Sequence, residues 1–443
     1  MDKLTGLRQV AQEVFKEALR AADPEEAVLR HLRLKEGILR VGSVDYFLNQ
    51  FERILVVGAG KAAAGMARAV EEVLGERITG GLVITKSGHG RRLRRIEVRE
   101  AGHPMPDGAG VKATDELIEI VKQAGENDLV LCLISGGGSA LLVSPAGNIT
   151  LADMTQATNL LLGSGLDVAA VNTVRKHLSR VKGGRLAEWV YPATLATLIL
   201  SDVIGDRLDV IASGPTVPDP TSFGDAVAVL QRAGLDARMP ASIRDLLEKG
   251  GRGEWKETPD PDSDVFQRVQ NIIVGSNTMS LEAAEHAARR KGMNPLILAS
   301  TVSGEAREIA HFYLALAREI RRHRRPAAPP ACLIAGGEPT VTLHGQGKGG
   351  RSQELALAMG LGLEEIPGTL FLAAGTDGTD GPTDAAGAIA ATDTLPRARA
   401  KGLDAFRHLQ ENNAYPFFQA LEDLVITGPT GTNVMDVHLL LVG

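Results

Sequence analysis

The chain has 443 residues, of which 44% are hydrophobic and 23% charged. A chain of this length is too long to fold around a single hydrophobic core, so we expect two or three domains. A net charge of −6 excludes broad electrostatic attraction to nucleic acid or anionic membranes, and no apolar run approaches the ~20 residues of a membrane helix. We therefore expect no nucleic-acid or membrane partner. Because no signal-peptide pattern is visible and both cysteines lie in apolar runs, we also expect a cytoplasmic location.

The predicted elements alternate along most of the chain. Residues 4–40 have helical periodicity, and beyond them short apolar runs alternate with helical patterns, as in parallel α/β units. Each run ends at a polar or glycine-rich turn, and ligands bind at such strand ends in parallel sheets. The predicted strands are 54–57, 81–85, 129–134, 195–200, 271–274, 296–299, 331–335, 370–374 and 437–442.

This rhythm predicts an α/β protein with mainly parallel sheets. The clearest boundary is the stretch from Gly250 to Asp264, which is rich in glycine, proline and charge. We therefore expect one domain over residues 1–250 and a second over residues 265–443.

The segment that follows the third predicted strand is the most informative of the chain. It reads Ser135, Gly136, Gly137, Gly138, Ser139 and then resumes a helical pattern. Glycines expose backbone N–H groups and permit positive φ, and a helix N-terminus adds partial positive charge. The segment predicts an anion cradle, most often for phosphate, although close strand–helix packing alone is an alternative.

A second glycine turn, Gly58-Ala59-Gly60-Lys61, follows the first predicted strand. As a dinucleotide fingerprint it fails, because the third glycine, Gly65, comes one position late and Lys86 ends the next strand where an acid is expected. It is not a Walker A loop either. A lysine at a helix start favours an anionic partner, and the alternative is a tight turn with an exposed lysine.

Several charged side chains also follow predicted strands or open helices. Asp202 and Asp377 suit Mg²⁺, which prefers one or two carboxylates with water and phosphate oxygens, but each could instead cap a turn. Arg351, beside a glycine-rich loop, could grip a carboxylate or phosphate with two hydrogen bonds, or lie exposed. Lys176, in a basic helix, could face phosphates or solvent. His103, in a proline-rich turn, favours a structural role.

These motifs, taken in order, resemble the glycerate 2-kinase family, whose chains combine a DUF4147 domain with a carboxyl-terminal MOFRL domain. The resemblance covers nearly the whole chain, and its specificity comes from the order of the segments rather than from any one of them. The segments are 57–62, 102–107, 134–142, 172–185, 201–220, 336–354, 376–387 and 430–436.

The resemblance implies phosphoryl transfer from ATP to the 2-hydroxyl of D-glycerate, giving 2-phospho-D-glycerate and ADP, with Mg²⁺. It also implies two α/β domains, the first Rossmann-like, with the active site in the interdomain cleft, in a monomer or homodimer. In the family, the residues matching Lys61 and Arg351 look like the essential cations.

On this basis Lys61 and Arg351 are expected to stabilise the transferring phosphoryl group or hold the glycerate carboxylate. Asp202, with Asp377 or Glu338, is expected to hold Mg²⁺ or accept the proton of the 2-hydroxyl. An NAD(P)H-dependent hydroxypyruvate reductase and a non-catalytic nucleotide-binding protein are the alternatives. The residues expected to bind nucleotide phosphates are Gly60, Ser135, Gly136, Gly137, Gly138, Ser139 and Lys176.

Overall fold

The computed structural model describes residues 3–443, which form two compact units. The central unit is the continuous segment Pro24–Val274, and the terminal unit combines the residues up to Asp23 with Gly275–Gly443. Within residues 3–443, no helix is both long and apolar enough to cross a membrane.

The expected helical region over residues 4–40 is wrong beyond His31. Residues 32–41 largely alternate apolar and polar side chains, which favours strands, and Glu36 and Gly37 form a tight hairpin turn with φ of 51° and 79°. The three strands that result pair antiparallel. The observed elements are α1 (Lys3–Ala22), α2 (Pro24–His31), β1 (Leu32–Lys35), β2 (Ile38–Val41) and β3 (Val44–Phe47).

The main sheet of the central unit is built of β4 (Arg53–Ala59), β5 (Gly80–Lys86), β6 (Glu97–Ala101), β7 (Asp128–Ser135), β8 (Thr194–Leu200) and β9 (Val269–Gly275). These strands lie in the order β6-β5-β4-β7-β8-β9, and neighbours from β6 to β8 are parallel. Counted from the first strand, the order is 3-2-1-4-5-6, that of a Rossmann-type sheet. The order reverses between β4 and β7, and their carboxyl ends are where such a sheet binds ligands.

Helices cover this sheet and also build a smaller core of their own. Buried side chains of the sheet pack against α4 and α8, while α6, α7, α9 and α10 enclose a separate apolar cluster around Phe223. The helices that follow α2 in this unit are α3 (Ala63–Leu74), α4 (Gly108–Val121), α5 (Gly138–Leu141), α6 (Leu151–Leu162), α7 (Val168–His177), α8 (Arg185–Val190), α9 (Phe223–Arg232) and α10 (Ala241–Gly251).

The sheet of the terminal unit differs from the mainly parallel sheet expected there. Its strands are β10 (Asn294–Val302), β11 (Ala331–Gly337), β12 (Thr369–Gly375), β13 (Gly387–Ala391), β14 (Leu424–Val425) and β15 (Asp436–Val442). Among the described strands of this sheet, only β10 and β11 pair in parallel. The reason is that β15 inserts between β11 and β12 and runs against both, while β13 folds back on β12.

Both faces of the terminal sheet are buried under helices. On one face α12 and α13 pack with aromatic side chains that include Phe371, Phe417 and Phe418. On the other face α1 and α11 pack through Leu7, Val14 and Leu281. The helices of this unit, besides α1, are α11 (Asn277–Arg290), α12 (Ala306–His323), α13 (Arg351–Leu363), α14 (Thr394–Ala400), α15 (Ala405–Gln410) and α16 (Ala414–Leu421).

The compact units therefore differ from the expected domains 1–250 and 265–443. Helix α1 belongs with the carboxyl-terminal residues, because its apolar face packs on α11 and β15. The stretch from Gly250 to Asp264 is an internal loop of the central unit, since β9 follows it and completes the central sheet.

Candidate active site

The glycine turn, Gly136–Gly138, comes directly after the last residue of β7, at the switch point of the central sheet. Gly137 has a φ of 81°, in the left-handed region that favours glycine. The helix that follows, α5, has only four residues, so its dipole contributes less than the sequence pattern predicts. Any anion binding here depends on the turn's backbone and on the cations beside it.

Side chains from other strand ends close tightly on this turn. A Cβ atom on Gly136 would lie 2.1 Å from Oδ2 of Asp202, and a Cβ atom on Gly138 would lie 2.8 Å from Cβ of Ala212. Real atoms do not approach so closely, so a side chain at Gly136 would displace the Asp202 carboxylate, and one at Gly138 would displace Ala212. The structure thus places Asp202, which follows β8, against the glycine turn.

Gly137 is covered by two further side chains. A Cβ atom there would lie 2.9 Å from Nε2 of His103 and 3.2 Å from Cγ of Lys61. Burial and then the charges of Lys61 and Lys86 lower the pKa of His103 to about 4. His103 is therefore a neutral imidazole at neutral pH, and it belongs to the cluster although the sequence favoured a structural role.

Lys61 is fixed by hydrogen bonds between the turns that follow β4 and β7. Its N–H donates to the carbonyl of Gly136 at 2.9 Å, and the N–H of Ala62 donates to Oγ of Ser135 at 3.0 Å. A Cβ atom on Gly60 would lie 2.1 Å from the same Oγ, so only glycine permits this approach. The two predicted turns thus form one structure with the lysine between them.

A left-handed segment supports the glycine turn from outside. Ala212, Ser213 and Gly214 have φ of 51°, 63° and 63°, which costs about 1–3 kcal/mol for each non-glycine residue. Oγ of Ser213 lies 3.0 Å from Oγ of Ser139 and donates to Oδ1 of Asn172 at 3.2 Å. Strain held in place by such bonds is common at functional sites.

Lys176, expected at nucleotide phosphates, is instead engaged in the interior. Its Nζ lies 3.4 Å from Oδ1 of Asp219, and neither side chain is more than 5% exposed. Asp219 also accepts hydrogen bonds from the N–H and hydroxyl of Thr221. The pair therefore anchors α7, and phosphate contact by Lys176 requires a change from this arrangement.

Lys182 is a basic side chain beneath the turn, and the sequence pattern includes it only as an extension of the basic helix of Lys176. It is buried, and its Nζ donates to the carbonyls of Ser139 at 2.8 Å and Leu142 at 3.2 Å. Burial and the neighbouring charge of Arg175 lower its pKa well below the usual value. Nε of Arg175 is also buried and has no hydrogen-bond partner among the described residues. Two basic side chains thus lie behind the turn, and burial disfavours the charged form of both.

In the terminal unit, the insertion of β15 creates a second cluster. Asp436, the first residue of β15, pairs with Gly337 and Gly375, the last residues of β11 and β12. Because β15 runs against its neighbours, its beginning lies where they end. A carboxylate therefore lies on a central strand, at the end of the sheet where ligands are expected to bind.

Arg351, the first residue of α13, is held by two carboxylates. Nε and Nη2 donate to the two oxygens of Asp436 at 2.7 and 2.9 Å, and Nη1 donates to Oε1 of Glu338 at 2.7 Å. Burial acts to lower the pKa of Arg351, but the hydrogen bonds and charge of Asp436 outweigh it and raise the pKa. A guanidinium has five N–H donors, so two remain for a ligand.

Asp380 fixes the start of α13. Its carboxylate accepts the N–H groups of Ser352 and Gln353 at 3.1 and 2.8 Å, and Nε2 of Gln353 donates to its carbonyl. Burial and then the charge of Asp436 raise the pKa of Asp380 to about 7. The loop after β12 thus positions the helix that carries Arg351.

The predicted Mg²⁺ ligands of this unit lie beside Asp436. Glu338 accepts a hydrogen bond from Arg351, which also binds Asp436. Oδ1 of Asp377 and Oδ1 of Asp436 lie near the same point, because each is 3.4 Å from the position that a Cβ atom on Gly375 would take. Among residues 3–443, no three His, Cys, Asp or Glu side chains form a ready metal cage. Because Mg²⁺ usually takes one or two carboxylates and completes its shell with water and phosphate, the oxygen donors present fit this metal.

Sequence reasoning favoured a structural role for His103, considered Lys182 only as an extension of the basic helix of Lys176, and assigned no role to Asp436. A signal was available for each, since all three lie in the resembling segments 102–107, 172–185 and 430–436. The role of Asp436 depends on antiparallel pairing with two distant strands, which its local sequence does not encode.

Comparison with known proteins gives consistent matches over both units. A family model described as a domain of unknown function, DUF4147, matches residues 10–248, and the MOFRL family model matches residues 331–436. The chain is 42% identical to a glycerate 2-kinase from Pyrococcus horikoshii, over 98% of this chain and 97% of the relative. It is 41% identical to a D-glycerate 2-kinase from Thermotoga maritima, over 98% of each.

A relative from Agrobacterium vitis bears only a provisional name, hydroxypyruvate reductase, and is 42% identical over 98% of this chain and 94% of its own. Among solved structures, a glycerate kinase from Thermotoga maritima superposes with a TM-score of 0.88 at 40% identity, covering 99% of each chain.

Proposed function

The chain belongs to the glycerate 2-kinase family and is a kinase, and from this premise we propose that it transfers the terminal phosphoryl group of ATP to the 2-hydroxyl of D-glycerate. The products are 2-phospho-D-glycerate and ADP. The observation that carries the proposal is the bonded pair of turns at the switch point, with Lys61 against Gly137.

In this proposal the glycine turn binds the nucleotide phosphates. Phosphoryl transfer requires positioning and neutralisation of charge more than covalent help from the protein. Lys61 supplies a cation at the turn, and Lys182 holds the carbonyl of Ser139 from behind, which orients the backbone. The absence of a Walker A sequence is accommodated, because two turns from separate strands replace one loop.

Arg351 stabilises the transferring phosphoryl group or holds the glycerate carboxylate with its two remaining donors. Asp436 and Glu338 fix the plane of the guanidinium, so those donors have one direction. An arginine restrained in this way loses little side-chain entropy when it binds an anion.

Asp202, against the glycine turn, accepts the proton of the 2-hydroxyl as that oxygen forms its bond to the terminal phosphorus. The bond from phosphorus to the bridging oxygen breaks, and ADP leaves. Glu338 and Asp377 are the residues of the terminal unit that would hold Mg²⁺, and in the central unit holding the metal is the alternative to the role of Asp202 as base. When bound, Mg²⁺ neutralises charge on the phosphates.

The test uses the purified protein with D-glycerate, ATP and Mg²⁺. We expect ADP to form only when glycerate is present, and proton-coupled phosphorus NMR to show phosphate on the C2 methine rather than the C3 methylene. L-glycerate serves as the control substrate. Phosphate on C3 would overturn the proposed position of transfer.

The same preparation is assayed with hydroxypyruvate and NADH. The sequence argues against a reductase, because Gly65 comes late for a dinucleotide fingerprint and Lys86 ends β5 where an acid is expected. Loss of NADH without glycerate-dependent ADP would replace the kinase proposal by the reductase.

A further inference from the structure

The chain enters β15 through an unfavourable backbone conformation. Met435 has a φ of 68°, in the left-handed region that only glycine, and to a lesser degree asparagine and aspartate, adopts readily. Residues 434–436, which we call the β15 entry, are at most 3% exposed. Such a conformation persists only where the surrounding groups hold it, and it is frequent at functional sites.

Thr376, the residue after β12, binds the β15 entry with both its backbone and its side chain. Its N–H and its hydroxyl donate to the carbonyl of Met435 at 3.0 and 2.7 Å, and the N–H of Val434 donates to the hydroxyl oxygen at 2.8 Å. Thr376 is fully buried, so removing its hydroxyl would leave the N–H of Val434 without an acceptor in the interior. The hydroxyl therefore joins the two residues that precede Asp436.

Asn277, the first residue of α11, binds the β15 entry as well. Its Nδ2 donates to the carbonyls of Val434 and Asp436, each at 2.9 Å. Asn277 is 1% exposed and lies against Gly336, where a Cβ atom would be 2.1 Å from Oδ1. Because one amide group binds carbonyls on both sides of Met435, a change of the Met435 backbone would break at least one of these bonds.

The β15 entry determines where the carboxylate of Asp436 points. Asp436 follows Met435 directly, and its carboxylate accepts hydrogen bonds from Nε and Nη2 of Arg351 at 2.7 and 2.9 Å. Two-point pairing of this kind requires the carboxylate and the guanidinium to lie in one plane. A change at Met435 would rotate the carboxylate of Asp436 out of that plane, and Arg351 would lose its direction.

We propose that Thr376 and Asn277 are positioning residues for Arg351. They hold Met435 in its left-handed conformation, which directs the carboxylate of Asp436 and, through it, the guanidinium. The inference rests on the proposed role of Arg351 in phosphoryl transfer, since only then does the direction of its two remaining donors affect the reaction. Neither Thr376 nor Asn277 is assigned a contact with substrate.

The kinetic test replaces Thr376 by valine, which has nearly the same shape but no hydroxyl. We expect kcat/KM for D-glycerate to fall about tenfold or more in Thr376→Val, because a small misplacement of a catalytic group has effects of that size. KM for ATP should stay within about twofold, since the proposed nucleotide site is the glycine turn of the central unit. Wild-type kinetics for Thr376→Val would overturn the proposal.

Thr376→Ser restores the hydroxyl and should recover kcat/KM to within about threefold of wild type. Thr369→Val is the matched control, because Thr369 opens the strand that Thr376 follows and is just as buried. The hydroxyl of Thr369 has no hydrogen-bond partner among the described residues, so valine there should leave kcat/KM unchanged. An equal loss in Thr369→Val, or no recovery in Thr376→Ser, would show that the hydroxyl of Thr376 has no specific role.

A measurement without substrate separates this inference from the kinase proposal. Arg351→Ala leaves Asp436 buried without its partner and should lower the midpoint of thermal unfolding. In the Thr376→Val background the pair is already misaligned, so Arg351→Ala should lower the midpoint by about half as much or less. Equal shifts in the two backgrounds would overturn the positioning role.

The two proposals fail in distinguishable ways. Wild-type protein that forms no ADP with D-glycerate refutes the kinase proposal, and the unfolding measurement still decides the positioning role. If Thr376→Val does not fold, by circular dichroism, Asn277→Ala takes its place in both experiments and should give the same two results, because it removes both bonds of Nδ2. Wild-type behaviour of Asn277→Ala in both would then overturn the positioning role.

Discussion

The cluster around the glycine turn and the cluster around Arg351 hold their basic side chains in different ways. In the central unit, Lys182 donates to backbone carbonyls, Nε of Arg175 has no hydrogen-bond partner among the described residues, and burial lowers the pKa of both side chains. In the terminal unit, Arg351 is held by Asp436 and Glu338. The first arrangement disfavours the charged form of its basic side chains, whereas the second keeps the guanidinium of Arg351 charged and fixes its direction.

The largest expected effect compares Lys61 in the central unit with Arg351 in the terminal unit. Lys61→Ala and Arg351→Ala should each lower glycerate-dependent ADP formation about 10³-fold, since one catalytic cation contributes that much to phosphoryl transfer. Only Arg351→Ala should also destabilise its unit, by about 3 kcal/mol, because it leaves Asp436 buried without its partner. Initial rates and denaturant unfolding measure the two effects.

Arg351→Lys is the control for charge without two-point geometry, and it should recover little activity because lysine cannot form the paired hydrogen bonds. Activity within tenfold of wild type for Lys61→Ala or Arg351→Ala would refute the assigned role of that residue.

The next effect depends on pH and belongs to the terminal unit. Asp380 has a folded pKa of about 7, above its unfolded value, so the folded chain retains a proton that the unfolded chain releases. Stability therefore falls as pH rises from about 4 to 7, by roughly 3 kcal/mol relative to Asp380→Asn. Unfolding of both proteins across this pH range is the measurement, and parallel curves would contradict it.

A smaller effect tests the crowding of the glycine turn. Gly137→Ala should lower activity about tenfold or more, since it combines a left-handed φ with contacts to His103 and Lys61. Gly205→Ala is matched, because Gly205 has a φ of 76° with nothing within 4 Å of its Cβ position. Both variants should lose about 1 kcal/mol of stability, but equal activities would show that the contacts at Gly137 are unimportant.

The smallest effect has the opposite pH sign in the central unit. Because the folded pKa of His103 is lowered to about 4, the folded chain resists a proton that the unfolded chain accepts near pH 6.5. Stability should fall as pH drops through this window, and less so in His103→Gln. The effect is small since His103 is partly exposed, and identical melting shifts in the two proteins would refute it.

The sequence predicted five of the six strands of the central sheet, because those five are apolar runs that end in glycine or polar turns. It missed β6, whose sequence Glu-Val-Arg-Glu-Ala is not an apolar run, and it assigned β9 to the second domain. It placed Lys61, Asp202 and the glycine turn at strand ends, where the structure has them. It was wrong at residues 32–41, where the helical pattern of the preceding residues was extended and the structure has an antiparallel hairpin. It also failed to predict the direction of β15, because the pattern of a buried strand is the same whichever way the strand runs.

The position of β15 between β11 and β12 determines when the terminal sheet can be completed during synthesis. The central unit is one continuous segment and can complete its contacts once residue 274 has left the ribosome. The terminal sheet keeps a gap between β11 and β12 until Asp436–Val442 emerges, and β11 and β12 then each gain their neighbour. Until that moment both strands expose unpaired edges, so the nascent chain is most prone to aggregation just before its last strand is released.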